Sequence, residues 1–218
     1  KVISEDDAGQ VEKAVSGFRK LTSRDKVVAI IGQIHSSNML ALLKPAEKAG
    51  IPIFSTQASN VKITSSHSPN AFRTAAIDPD RAEAWVGFFQ QQGLKKIGII
   101  AENTDYGVGL VNLLKTFNKE RSLGLSLKPF IFDKNSRDIT PQLLQIKNWG
   151  ADVVINIGVG DVAYLIVKQA YDIKLFPETP MVASFDWPSQ PIFWKNLGSK
   201  GNYLTYISYG HPKQKLTA

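Results

Sequence analysis

Lys96-Ile97-Gly98-Ile99-Ile100-Ala101, followed directly by Glu102-Asn103-Thr104-Asp105-Tyr106-Gly107, is the stretch that decides the fold. The apolar run is continuous rather than alternating, as expected of a strand covered on both faces. It stops in a polar turn, and an amphipathic stretch over 107–121 takes over. Similar strand-sized runs lie at 26–31, 51–54, 125–132, 152–157 and 181–184. Amphipathic stretches at 10–21, 37–49, 79–92, 139–149, 162–173 and 190–197 separate them. Such alternation predicts α/β architecture with a mostly parallel sheet and right-handed crossovers.

The segment ends agree with this reading. Gly50-Ile51-Pro52, Gln92-Gly93-Leu94 and Trp149-Gly150 stop helices, because glycine accepts the left-handed conformation past a helix end and proline cannot continue one. Asp138 before Ile139-Thr140-Pro141 reads as a capped start with proline in the first turn. The alternation breaks once, where Ser55-Thr56-Gln57-Ala58-Ser59-Asn60 and Ser65-Ser66-His67-Ser68-Pro69-Asn70 lead into Phe72-Arg73-Thr74-Ala75. An irregular stretch of this length is usually functional or a domain crossing, so a boundary is expected near 75–78. A second crossing is expected where Tyr203-Leu204-Thr205-Tyr206-Ile207 follows Gly201-Asn202. The expected division is 1–76, 77–204 and a crossing back over 205–218.

Composition narrows the function classes. The 218 residues are 43% hydrophobic and 21% charged, which excludes disordered, collagen-like and disulfide-dense chains. There is no cysteine, so neither disulfides nor thiolate metal sites are available. Twenty-six Lys and Arg against 19 Asp and Glu give a net charge of +7. The basic residues are scattered, as at Lys95-Lys96, Lys195, Lys200, Lys213 and Lys215, with no stripe interleaved with aromatics, which argues against a nucleic-acid partner. No run approaches the about 20 apolar residues that span a bilayer. Lys1-Val2-Ile3-Ser4-Glu5-Asp6 reads as a short strand inside a domain rather than as a signal peptide.

In open α/β sheets, ligands bind beyond the carboxyl ends of strands, at helix N-termini. The strand-end turns here are Gly32-Gln33-Ile34-His35-Ser36-Ser37, Ser55-Thr56-Gln57-Ala58-Ser59, Glu102 to Gly107, Gly158-Val159-Gly160-Asp161 and Phe185-Asp186-Trp187-Pro188. The first two offer hydroxyls and backbone N–H groups suited to an anion. The last ones offer carboxylates for a cation and aromatic walls. Together they suit a zwitterion, although Ser36, Ser37 and Asp105 are equally good helix caps. Gly158-Val159-Gly160 is an incomplete dinucleotide fingerprint, since Ala163 stands where the third glycine belongs. His35, His67 and His211 lack metal spacing. Trp85, Trp149 and Trp194 fall on helical patterns, and Trp187 lines either a pocket or a helix-entry turn. An enzyme using Asp105, Asp161, His35 or Asp186 would lack a nucleophile motif, a metal set and a complete cofactor loop.

Taken in order, Asp25 to Gly32, Ser36, Pro45-Ala46-Glu47-Lys48-Ala49-Gly50-Ile51-Pro52 and Ser55 to Ser59 resemble the first lobe of the leucine/isoleucine/valine-type periplasmic binding proteins. Phe72-Arg73-Thr74-Ala75 resembles their crossover, and Lys96 to Ile100, Asp105-Tyr106-Gly107 with Gly109, Gly150-Ala151-Asp152-Val153-Val154 and Lys168-Gln169-Ala170 continue the likeness. The resemblance implies a two-lobed type I periplasmic-binding fold of class α/β, each lobe a mostly parallel sheet flanked by helices. It implies a non-enzymatic solute-binding protein that closes on an amino acid or related carboxylate or amide and delivers it to the membrane subunits of an ABC permease, without a cofactor. The location implied is periplasmic or extracellular, with or without a lipid anchor. A sensor domain of a receptor or regulator would use the same fold.

Residue by residue, the resemblance places Ser36 on the ligand carboxylate, the Ala58 carbonyl on the ammonium, and Ser59, where the family often has threonine, on the same head group. Tyr106 would reach the cleft from the second lobe, and Asp186 would be the acidic partner of the ammonium, with Phe185 there if the alignment moves by one. Gly160 stands where the branched-chain binder has a tyrosine, and Gln57 and His35 add polar character, so a larger, aromatic or more polar ligand is expected. Lys1–Asp6 would be the second strand of the first lobe, with the first strand and helix absent. The first lobe is therefore expected to be incomplete and the chain truncated at both ends. An isolated fragment of this kind would expose apolar surface on its first lobe and bind ligand weakly.

Overall fold

The computed structural model describes residues 1–208. His211, Lys213, Lys215 and the 209–218 part of the expected crossing lie outside the described residues. The chain divides into two compact units, one made of Lys1–Asp80 with Thr104–Gly109, the other of Arg81–Asn103 with Leu110–Ala218.

The first unit opens with α1 (Val11–Arg19), which runs on into one wide turn at Lys20–Arg24. Next come β1 (Ile30–Gly32), α2 (Ser36–Ala49), β2 (Ile53–Ser55), α3 (Lys62–Ser65) and β3 (Ala71–Arg73). The three strands pair in parallel in the order β1-β2-β3. Phe18, Met39, Leu42, Ala46, Ile53 and Ile63 form the core beneath them. The apolar run at 26–31 yields only a short strand. Lys26 has φ 54° and the Val27 N–H donates to the Leu21 carbonyl, so 26 and 27 still belong to the turn that leaves the helix. Expected burial on both faces also fails for β1, since Ile31 is 77% exposed. It is an end strand, whose backbone groups at Ile30 and Gly32 face β2 while those of Ile31 face away.

Lys1–Asp6 is not a strand. At its end Asp6 accepts the Ala8 N–H, as the next residue Asp7 accepts that of Gly9, and Glu5 pairs with Lys20. A groove of about 1100 Å³ separates this segment from the outer edge of β1, lined by Val2, Ile3, Phe18, Val27 and Ile31 among others. The stretch read as irregular after Phe54 holds α3 and β3, elements too short for periodicity to register.

The second unit has α4 (Asp78–Gln92, shared with the first unit at its start), β4 (Lys96–Glu102), α5 (Asp105–Glu120), β5 (Ser126–Phe132), α6 (Thr140–Trp149), β6 (Val153–Ile157), α7 (Asp161–Asp172), β7 (Met181–Ala183), α8 (Pro191–Leu197) and β8 (Thr205–Tyr206). The parallel sheet runs β5-β4-β6-β7-β8. β4 and β6 are central and their apolar residues are buried throughout. β5 lies at the edge and is half-exposed, which is where Pro129 can sit without removing a needed donor. Gly150 ends α6 with φ 69°, a conformation that costs glycine nothing. The Asp152 carboxylate accepts the N–H groups of both Lys95 and Lys96, and these bonds hold it below the usual carboxylate range. Thr205–Tyr206, expected at the start of a crossing, pairs with β7.

Ile99 is fully buried on β4, whereas Val28 is 87% exposed. Ile99→Ala should lower stability by about 2–5 kcal/mol. Val28→Ala should change it by less than about 0.5 kcal/mol. Urea unfolding of both variants beside the parent chain checks the contrast.

Candidate functional site

In the first unit the expected ligand residues gather at the carboxyl ends of β1 and β2. Ser36 is the first residue of α2, and its hydroxyl accepts the Asn60 N–H at 3.3 Å. The cap position belongs to His35, whose side chain makes no cap bond. Its ring lies so close to Gly9 that a β-carbon there would sit 2.9 Å from Nε2. Nearby, the Asn38 amide donates to Asp7 at 3.0 Å. The head of α2 thus holds the 7–9 turn as well as Ser36.

Ala58 and Ser59 are buried, and Gln57 is exposed. The Ala58 N–H donates to the Ser55 hydroxyl at 3.0 Å, and that hydroxyl faces the carbonyls of Ala58 and Gln33 at 3.3 Å each. Ser55 has one proton, so it serves one carbonyl at a time and leaves acceptor capacity on the Ala58 oxygen. The Ser59 carbonyl accepts the Asp78 N–H at 3.0 Å.

Asn60 joins these pieces, and sequence reading gave it no role. Its side-chain amide donates to the Asp105 carbonyl at 2.8 Å, its Oδ1 accepts the Lys62 N–H at 3.0 Å, and its carbonyl accepts Arg73 Nη1 at 3.0 Å. The Ser37 hydroxyl accepts the Asp105 N–H at 3.2 Å. The first turn of α5, with Tyr106 buried in it, is therefore tied to the 55–60 segment inside the first unit. The signal for Asn60 was its place as the last polar residue before a helix turn, a position that favours side-chain to backbone bonds.

In the second unit, Gly160 precedes α7 with φ 62° and ψ −136°. A β-carbon would meet nothing within 4 Å there, so the backbone, not space, demands glycine. Asp186 begins the Trp187–Ser189 turn, and the Ser189 hydroxyl donates to its carbonyl at 2.7 Å, with the carboxylate 3.3 Å away. Phe185 carries the Arg81 guanidinium over its ring at 4.3 Å. Trp187 is buried against Tyr164 and belongs to the core rather than to a pocket wall.

Three polar side chains are buried at adjacent strand ends of this unit: Glu102 on β4, Asn156 on β6 and Ser184 after β7. Asn156 donates to the Ala163 carbonyl at 3.0 Å and accepts the Gly158 N–H at 3.1 Å. Glu102 Oε1 accepts the Val159 N–H at 2.5 Å. Burial pushes the Glu102 carboxyl up to about 7, against the opposing pull of the Val159 N–H and Lys134. Asn156 interrupts an apolar run, which is the mark by which sequence could have found it. Among the described residues no group of three or more His, Asp or Glu is placed to hold a metal ion, and no helix is long and apolar enough to cross a membrane.

A family model described as periplasmic binding protein matches residues 1–205. Leu/Ile/Val-binding protein homolog 7 of Brucella abortus is 27% identical over 199 residues, 87% of this chain and 50% of its own length. Homolog 8 of the same species is 28% identical over 185 residues, 81% of this chain and 46% of its own. The chain spans about half the length of the curated relatives it matches. A leucine-binding protein of Thermotoga maritima has a TM-score of 0.84 at 25% identity, with 95% of this chain and 58% of that chain covered. A solute-binding protein of R. palustris in complex with 4-hydroxybenzoate shares the fold, with a TM-score of 0.78 at 20% identity over 88% of this chain and 53% of its own.

Asn60→Ala should cost about 1–3 kcal/mol, because it leaves the Asp105 carbonyl and Lys62 N–H without their partner; denaturant unfolding measures this. Glu102 gives a pH signature. Its folded pKa lies above the ordinary 4.5, so the native state keeps a proton that the unfolded chain releases. Stability from this group is present below about 4.5 and is lost as pH rises through about 7. Between pH 5 and 8 the parent chain should lose roughly 2–3 kcal/mol more than Glu102→Gln, read from urea midpoints at each pH.

Proposed function

The chain belongs to the periplasmic binding protein family, and from that premise we propose that it is a non-enzymatic solute-binding component of an ABC transporter. In this reading it takes up an amino acid or related small carboxylate or amide outside the cytoplasm and passes it to the permease. Residues 1–76 and 77–204 act as parts of two lobes whose closure the ligand stabilises.

The observation that carries the reading is the head of α2 in the first unit. Ser36 opens the helix beside the buried Ala58-Ser59 segment. A helix start supplies unpaired N–H groups and the positive end of the helix dipole, which suit a carboxylate. The spare acceptor capacity of the Ala58 carbonyl suits an ammonium. Ser36 and Ser59 are accordingly assigned to the ligand head group. Asp186 is assigned to the ammonium as its acidic partner, Tyr106 and Gly160 to the rest of the ligand, and Gln57 and His35 to its polar margin. The leucine-binding relative supports an amino acid as the first ligand to try.

A thermal-shift screen over L-amino acids and their amides tests the proposal. A true ligand at about 100 times its Kd should raise Tm by about 5 °C or more. Ser36→Ala combined with Ser59→Ala should keep the circular dichroism of the parent and lose the shift. Equal shifts in the parent and the double variant would remove these serines from the site. Turnover of any tested compound would replace binding by catalysis.

A further inference from the structure

We propose that Glu102 is a positioning residue that holds the Val159 N–H from the carboxyl end of β4 and so fixes the 158–160 turn leading into α7. The link from this turn to ligand rests on the solute-binding reading, which places Gly160 beside the ligand.

The geometry is specific. Glu102 is the last residue of β4, and β4 pairs directly with β6, whose end gives rise to the turn. The bond to Val159 is short, at 2.5 Å, and the carboxyl is almost wholly buried, at 2% exposure. A buried carboxylate is costly unless it has a donor, so its retention calls for a compensating role. The same turn is braced by Asn156, which holds Gly158 and Ala163. Gly158 leaves no slack, since a β-carbon there would lie 3.0 Å from the Ala163 Cα. Gly160 adopts a backbone that other residues resist. Two side chains from neighbouring strands therefore hold the Gly158 and Val159 N–H groups and the Ala163 carbonyl, which bracket Gly160. From the β5 side the charged group acting on Glu102 is Lys134, and from the β6 side it is met by the Val159 N–H. A charged acceptor grips an N–H more strongly than a neutral one, so the hold on the turn tightens as Glu102 ionises.

Amide NMR tests this in the parent chain, Glu102→Gln and Glu102→Leu. In the parent, the Val159 and Gly160 amide shifts should titrate together with a midpoint near about 7, with the Val159 proton moving downfield as pH rises. Glu102→Gln should keep the Val159 amide bonded and abolish that titration. Glu102→Leu should speed Val159 hydrogen exchange about tenfold or more, as expected on loss of an acceptor worth about 1.4 kcal/mol or more. Flat shifts in the parent, or Val159 exchange unchanged in Glu102→Leu, would overturn the proposal. If Glu102→Leu does not fold, the parent and Glu102→Gln titrations decide alone. Calorimetry with L-leucine separates the two readings. Weakening of about tenfold in Glu102→Leu, with Glu102→Gln within about threefold, supports the link to ligand, whereas equal affinity in all three overturns that link. No leucine binding by the parent, with the amide titration intact, counts against leucine as the solute and leaves the positioning role supported.

Discussion

Along β4 the residues from Ile97 to Ala101 pair in parallel with β5 on one side and β6 on the other. Parallel pairing forces every strand to return through a crossover and puts all the carboxyl ends on one edge of the sheet. The crossovers are helices, the helices cover both faces, and the central strands are then mostly apolar, with Asn156 inside β6 and Glu102 at the end of β4 as buried exceptions. The same constraint collects Glu102, the turn after Ile157 and Ser184 along one edge of the second unit. In the first unit it collects Gly32, Ser55 and Arg73.

Polar groups brought to such an edge are partly out of water, so each calls for a partner. In the second unit, Asn156 and Glu102 meet the demand by turning toward the backbone of the 158–163 segment, whereas the buried Ser184 hydroxyl has no hydrogen-bond partner among the described residues. In the first, Ser55, Ser36 and Asn60 form a connected set that ties the 55–60 segment to α2 and to the first turn of α5. The residues assigned to ligand are therefore also structural. Ser36 accepts a backbone N–H, and Asp186 closes its own turn through Ser189. These roles are compatible, because a hydroxyl or carboxylate oxygen has more than one lone pair. They also mean that a substitution at Ser36 reads out on the 58–60 segment as well as on any ligand.

Much of this was legible in the sequence. The runs that became β4 and β6 are long, apolar and flanked by strong helix stops, so their type followed from local pattern. The family followed from the order of short motifs from Asp25 to Ala170, and the match over residues 1–205 agrees. The short elements were not legible. β3 is three residues with an arginine in it, and α3 is a single turn. Lys1–Asp6 has the composition of a strand, but its acidic end bonds outside it, Asp6 to the Ala8 N–H in the turn that follows and Glu5 to Lys20. Asn60 and Asn156 each carried a local mark, a place before a helix turn and a break in an apolar run, but neither mark says which backbone groups come within reach.

What the sequence determined by itself was the class of the fold, the alternation of elements and the positions of the strand-end turns. These depend on periodicity, propensity and glycine or proline at fixed places, all of which are local. Only the tertiary structure decided which strands lie at an edge, which polar side chains are buried and which turn each of them holds. Edge or centre depends on pairing between residues far apart in the chain, as Ile31 and Ile99 show: both are isoleucine in an apolar run, yet one is exposed and the other buried. The shifted proton affinity of Glu102 has the same origin. It comes from burial, which outweighs the opposing pull of a donor 57 positions away, and neither is encoded by the neighbours of Glu102 in the chain.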